Sequence, residues 1–153
     1  VPSIATSHFY TFVALTTIST ILIFYFSAYA SSTRATPKVE VLKEILDHVA
    51  AEGNQLVTLV TTTNSTAHLT VQLPSAIGNQ EYWIRVRNDS SEAWIEGGLG
   101  HTMNDETSLR VFLIGKISTS GHYLSGYGPA ILECYMNGSV PQLNLSSLGG
   151  VGQ

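Results

Sequence analysis

From Ile4 to Ala30 apolar residues fall on every side of a helical wheel rather than along one stripe, and no Gly or Pro interrupts the run after Pro2. Pro2 suits a first helical turn, where its missing N–H is not needed. At 1.5 Å per residue such a helix spans roughly 40 Å, enough to cross a hydrocarbon layer of about 30 Å. Thr6, Thr11, Thr16, Thr17 and Thr20 fit this reading, because a threonine hydroxyl can bond back to the carbonyl one turn earlier. A polar break follows, Ser31-Ser32-Thr33-Arg34-Ala35-Thr36-Pro37, at which the helix is expected to kink or to restart with Thr36 as N-cap. Val39, Leu42, Ile45, Leu46 and Val49 then recur at helical spacing, opposite Lys38, Glu40, Lys43, Glu44 and Asp47. This predicts an amphipathic helix lying on a core, with Lys43 and Asp47 paired across one turn and Gly53 as its C-terminal cap.

Beyond Gln55 the period changes to two. Ala67–Leu73, Tyr82–Arg87 and Leu109–Leu113 alternate apolar with polar residues. Leu56–Thr63, Ala93–Glu96, Ala130–Met136 and Val140–Leu145 are shorter strand candidates. Asn64-Ser65, Gly78-Asn79, Asn88-Asp89, Gly97-Gly98, Gly126 to Pro129 and Asn137-Gly138 supply turns between them. The pattern predicts an α+β chain: a long N-terminal hydrophobic α-helix followed by a small antiparallel β-sandwich of immunoglobulin-like kind. The division expected is 1–53 for the helix (1–33 hydrophobic, 38–52 amphipathic) and 54–153 for the β-rich outer domain.

Charge sharpens this picture. All seven Lys and Arg and all eleven Asp and Glu lie from Arg34 onward, so the first segment carries no charge. A net charge of −4 argues against nucleic-acid binding, which needs a basic face for phosphates. The single cysteine, Cys134, excludes an intrachain disulfide and reads as a buried core thiol.

Candidate chemistry is sparse. His8, His48, His68, His101 and His122 make no metal-ligand spacing, and His8 in the apolar helix reads as a hydrogen-bonded partner between packed helices. The stretch from Gly121 to Gly128 lacks both nucleophile-elbow and phosphate-loop patterns and reads as a flexible loop with exposed tyrosines. Asn104-Asp105-Glu106 is too short for a calcium loop, and Glu40, Glu44 and Asp47 form a solvated helix face. No catalytic constellation, metal or cofactor is expected. Four of the seven asparagines, however, are N-glycosylation acceptors: Asn64, Asn88, Asn137 and Asn144, three of them at predicted turns.

An uncharged apolar helix from Ser3 to Ala30, an amphipathic helix from Val39 to Ala50 and a Ser/Thr-rich β domain beginning with the strand pairs from Leu56 to Val86 together resemble an archaeal type IV pilin. Bacterial relatives carry a glutamate at the fifth mature position; Ala5 stands here, as is common among archaeal pilins. The resemblance implies a leader removed before Val1 by a prepilin peptidase, residence in the membrane before assembly, and export by an assembly machinery into a helical homopolymer of identical subunits. It also implies that Ile4, Phe9, Phe12, Val13, Ala14, Leu15, Ile18, Ile21, Leu22, Phe24, Tyr25 and Phe26 pack in the filament core. The β domains then face outward, toward host surfaces or other cells, in an extracellular cell-surface pilus. A filament of the swimming apparatus and a monomeric membrane-anchored binding protein share the same plan and stay open as alternatives. Because the core holds no charge, ionic strength is expected to matter little to its packing.

Overall fold

The computed structural model describes residues 2–149, apart from the side chains of 2–5 and 31–36. Val1, and the side chains of Ile4 and Thr36, therefore lie outside the described residues. One helix, α1, runs from Pro2 to Thr63, and its helical assignment passes through Pro37 without a restart. The chain divides at Pro37/Lys38 into two compact units.

In the first unit Thr6–Ala30 is a helix long and apolar enough to cross a membrane, with none of it buried. The threonines behave as expected: Thr11, Thr16, Thr17 and Thr20 donate to the carbonyls of Ser7, Phe12, Val13 and Thr16 at 2.8–2.9 Å. Their polarity is thus spent inside the helix and does not interrupt its apolar surface.

The second unit joins the last part of α1 to seven strands: β1 (Ala67–Val71), β2 (Tyr82–Asn88), β3 (Ala93–Leu99), β4 (Leu109–Phe112), β5 (Ser118–Leu124), β6 (Ala130–Asn137) and β7 (Val140–Ser147). They make one sheet in the order β1-β6-β7-β5-β2-β3-β4, antiparallel except where β5 runs parallel to β7. The α+β class stands as the sequence predicts, but the second layer of the expected sandwich is not a sheet. Leu42, Ile45, Leu46, Val49, Leu56, Val57 and Val60 of α1 supply it, packing with Ile84, Val86, Ile95, Leu132, Leu143 and Leu145. A seven-stranded sheet with one apolar face needs only one apolar partner, and an amphipathic helix of this length suffices.

Two local expectations are corrected by the same packing. Gly53 does not end the helix: it is buried inside it, where a Cβ would lie 3.3 Å from Leu143 and 3.7 Å from Leu113. Its bare surface lets the sheet approach. The strand expected at Leu56–Thr63 is instead the last two turns of α1. The sequence there is rich in β-branched residues, but burial of Leu56, Val57 and Val60 on one helical face outweighs their propensity. Thr58, Thr61, Thr62 and Thr63 bond back to the carbonyls four residues earlier. The helix stops at Asn64, whose φ of 48° is a left-handed cap.

Gly97 and Gly98 are not a turn but the middle of β3. A Cβ on Gly97 would sit 2.8 Å from the Trp83 carbonyl oxygen and 2.9 Å from Leu46, and one on Gly98 would sit 2.9 Å from the Trp83 ring. The flexible loop expected from Gly121 to Gly128 contains the second half of β5. Tyr123 is buried there, its hydroxyl donating to the Gly128 carbonyl at 2.9 Å, while Tyr127 is half-exposed. Gly121 has φ of +101°, and a Cβ on it would lie 2.0 Å from the Leu145 carbonyl oxygen across the parallel pair. Gly121→Ala is therefore expected to part β5 from β7 and destabilise the sheet domain by at least 2 kcal/mol, about the sum of the left-handed penalty and a displaced ladder. Chemical denaturation of the detergent-solubilised chain, followed by tryptophan fluorescence, reads this out. An unchanged midpoint would mean the strands part there at no cost.

Candidate functional site

Two surfaces stand out. The first is the apolar helix. Of the residues expected in a filament core, Phe9, Phe12, Val13, Leu15, Ile18, Ile21, Leu22, Phe24, Tyr25 and Phe26 are all exposed, from 45% at Val13 to 77% at Phe24. Ala14 is exposed as well. Nothing in the unit covers them, so this face is an unmet hydrophobic demand far beyond the few hundred Å² that a soluble monomer typically leaves open.

The second surface joins residues that lie far apart in the sequence. On the side of β2, β3 and β4 that faces away from α1, residues align in rows across the three strands. Arg85, Glu96 and Arg110 are in register, as are Arg87, Trp94 and Phe112. Glu96 is fully buried, although it points outward, because its neighbours fold over it. Arg85 donates to it through Nε at 2.7 Å and also through Nη2. The Trp94 indole donates to its other oxygen at 3.1 Å, with Arg110 Nε 3.4 Å away and Arg87 Nη1 at 3.5 Å from the first. Asp105, on a short 3-10 turn capped by Asn104, reaches in to bond Arg85, with Arg87 at 3.3 Å. Arg85 lies over the Trp83 ring at 5.5 Å and Arg110 over Trp94 at 5.4 Å.

Burial alone would push the Glu96 carboxyl up. The bonds from Arg85 and Trp94 and the charges of Arg85 and Arg87 more than offset it, and the group is held below the usual carboxylate range. The hydrogen bond from Arg85 holds Asp105 low as well. The signal for this cluster is present in the sequence as the polar phase of Tyr82–Arg87 and Leu109–Leu113. Only the β2–β3–β4 register shows that those polar phases share one carboxylate.

The four acceptor asparagines are brought into a definite arrangement. Asn64 ends α1, Asn88 ends β2 and Asn137 ends β6 before a turn in which Gly138 has φ of 65°. The register carries all three to one end of the sheet: Ala67 pairs near the end of β6, Asn88 faces Ala93 at the start of β3, and the start of β5 pairs with the start of β7. All three are exposed. Asn88 is the most constrained, its Oδ1 accepting from the Thr119 N–H at 2.9 Å. Asn144 stands apart in mid-strand, on the outer side of β7, beside Ser120.

The remaining candidates stay dispersed. Lys43 and Asp47 pair at 3.3 Å, both half-exposed or more. His101 lies 3.0 Å from Glu81, and Cys134 is a buried thiol pushed up by burial. No group of three His, Cys, Asp or Glu side chains that could hold a metal occurs among the described residues. At the end of the sheet bearing the three asparagines, Val57, Thr61, Ile114, Ile117 and Pro141 line an open hollow of about 400 Å³.

No curated protein and no solved structure matches this chain. A family model described as a family of unknown function, DUF7266, matches residues 11–114, which takes in most of α1 and the sheet through β4. By that match, over more than half its length, the chain belongs to the DUF7266 family of unknown function.

Proposed function

We propose that this chain is the non-catalytic structural subunit of an extracellular archaeal type IV pilus, assembled as a helical homopolymer through residues 4–30. The observation that carries this reading is the helix Thr6–Ala30, which is uncharged and apolar on all sides. Such a surface is equally satisfied by lipid or by copies of itself, so transfer from bilayer to bundle need not oppose assembly strongly. The Lys38–Ser147 portion supports the reading differently. Its own helix stripe and sheet form its core, and it carries acceptor asparagines at exposed positions.

Cryo-electron microscopy of material sheared from the source cells tests the proposal, combined with glycopeptide mass spectrometry. The expected result is a filament whose central density fits residues 4–30, with sugar at Asn64 and Asn137 and lower occupancy at the constrained Asn88. Single particles retained in the membrane fraction would overturn the filament reading and leave the helix as an anchor.

A further inference from the structure

We infer that the outer face of β2, β3 and β4 is a docking surface for a second copy of this chain, and that what it receives is the acidic stripe on the outward side of α1. This rests on the filament reading above. Two observations on this face carry it.

The first is unspent charge. Glu96 and Asp105 satisfy Arg85, but Nε and Nη2 of Arg87 and both Nη of Arg110 donate no hydrogen bond among the described residues, and these side chains are 43% and 47% exposed. Arg110 is also held in place over Trp94, so its donors are presented from a fixed platform. Three of the seven basic residues of the chain stand on this one face, around two carboxylates. A complementary surface exists on the same molecule but faces away from the sheet. Glu40 and Glu44 are exposed one helical turn apart, with Asp47 beside them and only Lys43 to offset it. The two surfaces lie on opposite sides of the α1–sheet packing, so they meet only between molecules, in a heterologous contact that propagates.

The second is where the acceptor asparagines are. Asn144 occupies the outer side of β7, and Asn64, Asn88 and Asn137 occupy the end of the sheet. The body of the β2–β4 outer face has none. A surface kept clear of bulky sugars while its neighbours are offered to them is suited to a protein partner.

The experiment compares four forms of the full chain expressed in source cells lacking the native copy: wild type, Arg87→Glu with Arg110→Glu, Glu40→Lys with Glu44→Lys, and all four substitutions together. The readout is the ratio of sheared filament to membrane-held subunit. Each double variant is expected to lower that ratio about fivefold, the factor for two exposed pairs made repulsive, and the quadruple variant to restore most of it. Trypsin resistance of the sheet domain checks folding in each form. Wild-type ratios in the arginine variant would overturn the inference. So would a folded arginine variant that the helix substitutions fail to rescue. Intact filaments that lose only their adhesion to an acidic polysaccharide would assign the face to that ligand instead. Absence of filaments from wild type would overturn the filament reading itself, and this contact with it.

Discussion

On the filament reading, Ala14→Asp or Ile18→Asp is expected to abolish assembly and to leave the sheet domain folded. Both positions lie within the uncharged run and are exposed on the helix, so neither is needed for the core at Leu42–Val60. In a bundle of such helices a carboxylate meets no Lys or Arg, and the threonine hydroxyls beside it are bonded to their own helix backbone. At the middle of an apolar helix it opposes burial by about 3 kcal/mol, more than a hundredfold in a contact equilibrium, and the effect repeats at every subunit. The measurement is the sheared fraction, together with near-ultraviolet circular dichroism of the solubilised chain to report on Trp83 and Trp94. Filaments of normal yield from either variant would remove these residues from the core.

Glu96→Ala gives the second large effect, on stability rather than assembly. It leaves Arg85, Arg87 and Arg110 around the vacated position with Asp105 still paired to Arg85 and Arg87, and loss of the charge-assisted hydrogen bonds to the buried carboxylate destabilises by about 2–3 kcal/mol. Glu96→Gln keeps the shape and loses the charge, so it falls between. The same cluster sets a pH dependence. Both Glu96 and Asp105 have carboxyls held lower in the folded chain than the usual value near 4. Between the two values the unfolded chain binds more protons, so their contribution is complete above about pH 5 and disappears as pH falls through the folded values. The thermal midpoint of the solubilised chain is therefore expected to drop on acidification from pH 5 toward 2, less steeply in Glu96→Gln. A flat profile in both forms would show that the carboxylates do not titrate with unfolding.

What the sequence reveals most clearly is whatever one segment decides by itself. The helix through Ala30 needs no partner to be recognised, because absence of charge and absence of breakers are local facts. The same holds for the alternation in Tyr82–Arg87 and for the helical stripe from Leu42 to Val49. The misreadings occur where a neighbour outweighs local preference. Leu56 to Thr63 look like a strand until Val57 and Val60 are seen to need the sheet. Gly97-Gly98 look like a turn until the Trp83 ring and Leu46 are seen to occupy the space of their side chains. Tyr123 looks exposed until β5 is found between β2 and β7. The arginine cluster was hidden most deeply, since Arg85, Glu96 and Arg110 come from three separate strands and become neighbours only through register.

The strand order has a consequence for the chain as it is made. Local hairpins can form early, β2 with β3, β3 with β4 and β6 with β7, each from residues close in sequence. But β7, the last strand, lies in the interior of the sheet, between β6 and β5. Until residues 140–147 have emerged, β5 has a partner on one side only and β6 lacks its hairpin mate, so two open edges wait for one strand. During that interval the nascent domain is exposed to pairing with another unfinished copy. Shortening that interval lowers this risk. The tight turn at Gly138, which delivers β7 directly onto β6, is the element that does so.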